Sequence, residues 1–367
     1  SPPSRRILLY TLSDMTLTSF VLKGHKESIN CLDYQRGDSV LLLSGSDDST
    51  ARLWDLRTSK TALCVRTPGP VTSVAFAAGN QHTGELNSVF AKNTSIFLGV
   101  EDVVLEYDLR QAQTPIIQQP TRDLTEALQS TEEINQLSVS GKRNLLATAD
   151  DAGSVRIWDG SRLRTLQPDN TEVPFLMTCC DFRSGDQIAS GGTNCTVYLW
   201  DIGRPRKPLD SFAIPRDDSG ANQVCNPPMV HSLAWSSSGR LLAAGLGDGS
   251  VLVLGVQKKR LVELARLRNG HDDSVATLCF PDLGTNSKSN TDRLLATAGT
   301  DGAILVWDLK RSIGGDASID PRQVLSNDLL AENLGGGKDP ALLFGIPHKH
   351  KANWMVSSGT NTLFVAD

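Results

Sequence analysis

The sequence predicts an all-β fold: a seven-bladed propeller whose closing blade takes strands from both the N- and the C-terminal ends. Three observations predict it. First, a short motif recurs as ARLWDLR (51–57), SVRIWDG (154–160), TVYLWDI (196–202) and AILVWDL (303–309), with weaker copies VLEYDLR (104–110) and SVLVLGV (250–256). Second, each copy follows two further short apolar runs, such as SINCLDY and LLLSGSD ahead of the first and SVATLCF and LLATAGTD ahead of the last. Short runs of branched residues parted by Gly, Asp, Asn and Ser are the mark of strands and turns. Third, the Trp position or its substitute falls at 54, 107, 158, 200, 254 and 307. A regular period of this size means one supersecondary module per repeat, and a closed ring of such modules removes exposed sheet edges.

Taken in order, ILLYTL (7–12) matches the third strand of a unit, with Tyr10 in the Trp position, and TLTSFVL (16–22) matches the fourth. Six complete units follow. KANWMVSS (351–358) and LFVAD (363–367) then match a first and a second strand, so the two ends together supply the seventh blade. Residues 1–367 thus read as one propeller domain with loop insertions at 79–93, 111–133 and 203–228 and a long one at 311–350. Long loops on a rigid scaffold commonly carry binding function. Only 121–133 and 320–333 show a modest helical pattern.

Composition narrows the chemistry. The chain is 39% hydrophobic and 21% charged, as in globular domains. A net charge of −5 argues against direct nucleic-acid binding, which needs clustered excess Lys and Arg. No apolar run approaches the ~18 residues of a membrane span. The Cys residues at 31, 64, 179, 180, 195, 225 and 279 form no C-x-x-C pair. They fit free thiols in a reducing compartment, so a cytoplasmic or nuclear location is expected. Cys179 and Cys180 fall on opposite faces of one strand, where core packing is expected. GGGK (335–338) lacks the spacing of a phosphate loop, and HKH (348–350) has no carboxylate or Cys at ligand spacing. No cofactor, metal site or catalytic residue is expected, and the chain reads as a non-enzyme.

The first unit carries His25, Ser44, Asp48 and Trp54, and the sixth carries His271, Thr297, Asp301 and Trp307. In both, Ser or Thr lies ten residues before Trp and Asp lies six before. These residue types could build a nucleophile–base–acid triad. A catalytic triad, however, should appear once and not recur with the blade period. On these residues the chain resembles the WD40 propeller family over essentially its whole length. The resemblance implies that each set is a buried hydrogen-bond relay joining the strands of a blade. Other units depart from the pattern. The third keeps Thr148 and Trp158, with Asp151 seven before Trp. The fourth keeps Ser190 and Trp200, with Asn194 for Asp. The fifth keeps Asp248 but has Ala244 and Leu254 for Ser and Trp. These blades are expected to lean on apolar packing, leaving the first and sixth the stiffest.

The family resemblance also sorts charge by face. Second-to-third-strand turns and Gly-His loops would form the top, with Glu101, Asp102, Glu132, Glu133 and Asp151 among their acids. Third-to-fourth-strand turns would form the bottom, with Arg57, Arg110, Lys258 and Lys310 among their bases. A basic partner is then expected above and an acidic one below.

LLSGSDDSTARLWDLR (42–57) resembles the DWD box of substrate receptors for cullin-4 RING ubiquitin ligases. That box has two apolar residues, three small ones, an acid, an apolar residue and W-D-x-R. Here these are Leu42, Leu43, Ser44, Gly45, Ser46, Asp48, Leu53, Trp54, Asp55 and Arg57. LLATAGTDGAILVWDLK (294–310) is a second copy ending in Lys310, and YDLR (107–110) is a partial copy ending in Arg110. The resemblance implies that Asp55, Arg57, Arg110 and Lys310 contact the ligase adaptor, the damaged-DNA-binding protein 1. Three stretches, 133–159, 225–253 and 351–367, further resemble the WD repeat-containing protein 53 family, with its Asn-Pro ahead of Val-His and its terminal N-W…L-F-V-A-D. Adaptor binding is the role that family implies. The expected function is a non-enzymatic interaction scaffold, a monomeric propeller acting as a cullin-4 substrate receptor. The alternative is a structural subunit of another assembly in chromatin, trafficking or RNA processing.

Overall fold

A computed structural model describes residues 6–13, 16–35, 41–77, 95–112, 114–140, 143–168, 173–184, 186–216, 227–281, 292–310, 342–347, 352–357 and 362–366. Its regular structure is almost entirely strand, arranged as the seven blades of a β-propeller. A 3₁₀ turn at Leu109–Gln111 and one helical turn at Thr125–Leu128 interrupt it. No helix among the described residues is long and apolar enough to cross a membrane.

The chain packs as two compact units. One consists of Ser1–Arg6 and Leu22–Ser211 and holds blades 1 to 4 up to the first half of the outer strand of blade 4. Blade 1 orders Ile29–Tyr34, Leu41–Ser46, Thr50–Asp55 and Lys60–Arg66 from first to fourth strand. Blade 2 orders Val71–Phe76, Ser95–Val100, Val103–Asp108 and Arg122–Asp123. Blade 3 orders Ile134–Ser140, Leu145–Asp150, Val155–Trp158 and Leu163–Leu166. Blade 4 orders Met177–Ser184, Gln187–Gly192, Thr196–Asp201 and Asp210–Ala213.

The other unit consists of Ile7–Val21 and Phe212–Asp367. Blade 5 orders Val230–Trp235, Leu241–Leu246, Val251–Gln257 and Arg260–Leu267. Blade 6 orders Val275–Cys279, Leu294–Gly299, Ala303–Asp308 and Leu342–Pro347. Blade 7 is the split one: Trp354–Ser357 and Thr362–Ala366 continue into Arg6–Ser13 and Thr16–Lys23. The antiparallel register runs from Ile7↔Ala366 to Thr11↔Thr362, so the third strand comes from the N-terminal end, as the strand matching predicts.

Second and third strands are covered on both faces, which is why they read as nearly unbroken apolar runs. Ser95–Val100 is buried throughout, and so is Leu145–Asp150. Side chains of neighbouring blades share cores: Ala75, Phe97 and Val104 with Leu137, Leu146 and Trp158, and Ala296 and Val306 with Met355 and Val365. Trp54, Trp200 and Trp307 are fully buried. Each indole removes on the order of 150–250 Å² from water, a gross gain of roughly 4–6 kcal/mol before entropy is counted.

Polar stitches run between the first strands of successive blades, where the ladder of one blade cannot reach the next. Phe76 N–H donates to Asp33 Oδ2 (2.7 Å), Leu137 N–H to Ser73 Oγ (2.8 Å), and Cys180 N–H to Gln136 Oε1 (3.1 Å). In the second unit Met355 N–H donates to Thr277 Oγ1 (3.3 Å).

The insertions need correction. Leu342–Pro347 lies inside the expected 311–350 loop but is the fourth strand of blade 6, paired from Ala303↔Pro347 to Trp307↔Leu342. Asp210–Ala213 and Arg122–Asp123 are likewise fourth strands within the expected 203–228 and 111–133 loops. A fourth strand is an edge, half-wetted and mixed in sequence, so its apolar signature is faint. The 111–133 segment also sends Ile116–Ile117 across to blade 1, where it pairs parallel with Cys64–Val65 as a fifth strand. The 79–93 loop, the 320–333 segment, GGGK (335–338) and HKH (348–350) lie outside the described residues.

Candidate protein-interaction site

Both His–Ser/Thr–Asp–Trp sets are joined by hydrogen bonds in the structure. In blade 1 the register sets Leu42 opposite Trp54 and Ser44 opposite Arg52, which brings the indole edge over the Ser hydroxyl. Trp54 Nε1–H donates to Ser44 Oγ (2.8 Å), and Ser44 Oγ bonds His25 Nε2 (2.8 Å). His25 Nδ1 reaches the Asp48 carboxylate at 3.1 and 3.0 Å. Blade 6 repeats the chain: Trp307 Nε1–H to Thr297 Oγ1 (2.9 Å), Thr297 Oγ1 to His271 Nε2 (2.8 Å), and His271 Nδ1 to Asp301 (3.3 Å). Burial pushes the His25 pKa down and keeps the ring neutral, against the opposing pull of Asp48. Burial pushes Asp48 up, but hydrogen bonds from His25, Thr50 and the Lys26 N–H outweigh it and hold this carboxyl well below the usual carboxylate range. The Gly before each His makes room for the indole: a Cβ on Gly24 would sit 2.9 Å from the Trp54 ring. Every donor is already engaged within the blade, so the relays brace the strands and present nothing to a substrate.

The departing blades do not lean on apolar packing alone. In blade 3, Arg156 bonds buried Asp150 (2.8 Å) and reaches the Leu128 carbonyl (3.1 Å). Asp151 there serves another purpose, accepting from Asn135 Nδ2 (2.7 Å) as Asp47 accepts from Asn30 Nδ2 (2.7 Å) in blade 1. In blade 5, Arg266 bonds Asp248 (2.8 Å), so an Arg takes the role that His plays elsewhere. Blade 4 keeps only the Trp200 Nε1–H to Ser190 Oγ bond (2.9 Å) and joins Asn194 to the Tyr198 hydroxyl (2.8 Å). In blade 2, Ile96↔Tyr107 is the counterpart of Leu42↔Trp54, so Leu98 stands where Ser44 does. The Tyr107 hydroxyl is accordingly buried without a partner.

Most of the DWD-like stretch is spent on folding: Leu42, Leu43, Ser44, Ser46, Leu53 and Trp54 are all buried. Asp55 and Arg57 emerge at the turn between the third and fourth strands. Arg57 donates Nε–H to Asp55 Oδ1 (3.1 Å) and Nη2–H to Oδ2 (3.0 Å), while its own backbone N–H also caps Oδ1 (3.0 Å). The Arg57 side chain is 72% exposed. Asp108 and Arg110 repeat this fork in blade 2, with Nε–H to Oδ1 at 3.0 Å, Nη2–H to Oδ2 at 2.7 Å and the same backbone cap (3.0 Å). The guanidinium hydrogen bond holds Asp55 and Asp108 below their ordinary pKa. Each Arg spends two of its five N–H donors on its own turn and points the rest outward, already ordered. Lys310 is exposed at the matching turn of blade 6, but Asp308 is buried and bound by Arg293 Nη2 (2.6 Å). Lys310 therefore forms no fork; only its backbone N–H caps Asp308 (3.1 Å).

Cys179 and Cys180 are both buried, and burial pushes the Cys179 thiol up to about 12 and Cys180 well above its ordinary value. Thiols held this firmly protonated are poor nucleophiles and suit the core. Among the described residues no group of three His, Cys, Asp or Glu is placed to hold a metal ion.

The model of the WD domain, G-beta repeat, matches residues 16–55, 119–159, 160–201, 223–253 and 262–308. The chain belongs to the WD40-repeat family. The matched segments leave out 56–118, where Tyr107 and Leu98 replace the relay pair. A WD40 propeller is a protein-interaction scaffold, and the family is generally non-catalytic. Among curated relatives, the chain is 24% identical over 364 residues to the WD repeat-containing protein 53 homolog of Dictyostelium discoideum, spanning 94% of this chain and 90% of that protein. It is 25% identical over 295 residues to the guanine nucleotide-binding protein subunit beta of Zea mays, spanning 79% and 58%. It is 28% identical over 134 residues to the DDB1- and CUL4-associated factor 11 homolog of Caenorhabditis elegans, spanning 36% and 21%.

Two features escape sequence pattern. In the Asp150–Arg156 and Asp248–Arg266 pairs an Arg stands in for the relay His; Asp248 keeps the relay offset, six before the Trp position, whereas Asp150 lies eight before Trp158. The Asn30–Asp47 and Asn135–Asp151 pairs left one available signal, an Asn in the first strand and an Asp seven before Trp in both blades.

Proposed function

We infer that this WD40 scaffold is a substrate receptor of a cullin-4 RING ubiquitin ligase, docking the adaptor, damaged-DNA-binding protein 1, through the third-to-fourth-strand turns of blades 1 and 2. The observation that carries this is the duplicated fork, Asp55–Arg57 and Asp108–Arg110, held in the same geometry on consecutive blades. Two preordered guanidinium groups lose little side-chain entropy on docking and match backbone carbonyls or carboxylates on a partner. Two relatives support the choice: one named as a homolog of WD repeat-containing protein 53 along nearly the whole chain, and one whose name associates it with the adaptor and the cullin over a shorter span. Asp55 and Asp108 act as positioning residues, Arg57 and Arg110 as contacts, and Lys310 as an ordinary solvated cation at the periphery.

The test is a pull-down of the purified adaptor with wild type, Arg57→Ala, Arg110→Ala and the double variant. Wild type should bind, each single variant should bind less, and the double variant should be lost. No binding by wild type refutes the receptor assignment and favours a structural role in another assembly. Full binding by the double variant moves the contact elsewhere on the scaffold.

A further inference from the structure

A second surface lies across the second-to-third-strand turns of blades 2 to 4, at the start of their third strands rather than at the ends where the forks of blades 1 and 2 lie. The connection Val173–Leu176 enters blade 4 there, clamped on both sides. A Cβ on Gly153 would come within 2.7 Å of the Phe175 carbonyl oxygen. Thr193 receives the Leu176 N–H on Oγ1 (3.0 Å) and donates its own N–H to the Leu176 carbonyl (3.0 Å). The Phe175 ring turns inward and stacks on Tyr198, with centroids 6.4 Å apart. Val173 and Leu176 are left turned outward, 71% and 42% exposed. Pinned at Phe175 and Leu176, this connection offers a small exposed apolar seat for one side chain of a partner.

Acids run beside this pair. Glu101 and Asp102 sit in the blade 2 turn, Glu132 and Glu133 in the connection to blade 3, and Asp151 in the blade 3 turn. Backbone bonds hold these turns edge to edge: Ile134 N–H to the Glu101 carbonyl (2.8 Å) and Asp151 N–H to the Glu133 carbonyl (3.0 Å), with Gly153 carrying the contact on to Phe175. Glu101, Asp102, Glu132 and Glu133 are exposed, and segments 95–103, 131–135, 150–154, 173–178 and 191–196 contain no Lys or Arg. Arg156 is the cation bound into these turns, and its guanidinium is spent on Asp150 and the Leu128 carbonyl, so the exposed charges of the strip are acidic and favour cations over phosphate or acidic chains.

We propose that this strip binds an extended cationic segment of a partner protein, with one apolar side chain seated on Val173 and Leu176 and Lys or Arg side chains lying along the acids. The site is separate from the two Arg forks and stands whether or not the adaptor docks there. Fluorescence anisotropy with the full chain and labelled ten-residue peptides tests it. One probe carries a central Leu flanked by Lys and Arg; one control replaces that Leu by Ser, and another replaces the cations by Glu. The Leu-bearing cationic probe should bind at least about tenfold more tightly than either control. Val173→Asp with Leu176→Asp, and separately Glu132→Lys with Glu133→Lys, should each weaken it by about tenfold or more. All four side chains are exposed, so both variants should keep the wild-type melting curve. Arg57→Ala with Arg110→Ala should leave the affinity unchanged. Equal binding of probe and controls, or folded surface variants that bind the probe like wild type, overturns the proposal.

Discussion

Replacing Ser44 by Ala removes one oxygen and orphans two buried groups. Ser44 Oγ is the shared partner of Trp54 Nε1–H and His25 Nε2, each at 2.8 Å, and all three residues are buried to within about a hundredth of their surface. A buried donor or acceptor left unpaired costs about 1–3 kcal/mol, so Ser44→Ala, which orphans two, should cost about 2–6 kcal/mol. Ser190 is the same residue at the same strand position in blade 4, but its hydroxyl receives only Trp200 Nε1–H at 2.9 Å. Ser190→Ala should cost about half as much, near 1–3 kcal/mol. Thr148 in blade 3 reverses the sign. Its hydroxyl is buried without a partner, so Thr148→Val exchanges an unpaired polar group for a methyl and should be neutral or stabilising by up to about 1 kcal/mol. Guanidinium denaturation followed by tryptophan fluorescence, on wild type and the three single variants, reads all three differences. The expected order of stability is Thr148→Val at or above wild type, then Ser190→Ala, then Ser44→Ala. Equal losses in Ser44→Ala and Ser190→Ala would show that the His–Asp half of the relay adds nothing to the Ser–Trp bond.

Other consequences follow from the same geometry. Arg156→Ala strips buried Asp150 of its ion partner and should destabilise by about 3–5 kcal/mol, whereas an exposed Arg57→Ala should leave the melting temperature where it is; comparative thermal melts decide both. Acid should weaken the fold in two stages. The folded state resists protonating His25 because its pKa lies below the ordinary 6.5, so the unfolded chain gains the proton first and stability falls as pH drops below about 6.5. Asp48 is also held below its ordinary value, so its contribution, present above about pH 4, is lost as pH falls further. A pH series of melts on wild type and His25→Gln should show a shallower upper limb in the variant. Gly45→Ala would drive a Cβ into Val71 and the Cys31 sulfur, and should cost about 1–3 kcal/mol in the same assay.

Much of the candidate site was legible because each of its parts is local. Trp54, Asp55 and Arg57 lie within four residues, and a bidentate fork between residues two apart needs no distant element to form. Its copy at Asp108–Arg110 was visible as YDLR for the same reason. The Lys-ended copy at 310 looked equivalent, yet Asp308 is taken by Arg293 from a segment 15 residues earlier, and no local pattern announces that. The strip at Val173 and Leu176 was invisible. Its apolar residues look like ordinary strand approach, and only the clamps from Gly153 and Thr193 turn them outward.

The sequence by itself determined the blade number, the split seventh blade and the matching offsets of His, Ser or Thr, Asp and Trp in the first and sixth units. These follow from strand periodicity and from side chains at constant offsets along paired strands, which the β register converts directly into contacts. Tertiary structure alone decided the fourth strands in the long insertions, the parallel Ile116–Ile117 graft onto blade 1, and the Arg–Asp pairs that replace His in blades 3 and 5. The fourth strands, the Ile116–Ile117 graft and Asp248–Arg266 join elements well apart in the chain, where spacing does not say who will be opposite whom; Asp150–Arg156 spans one short hairpin but uses residue types outside the repeated pattern.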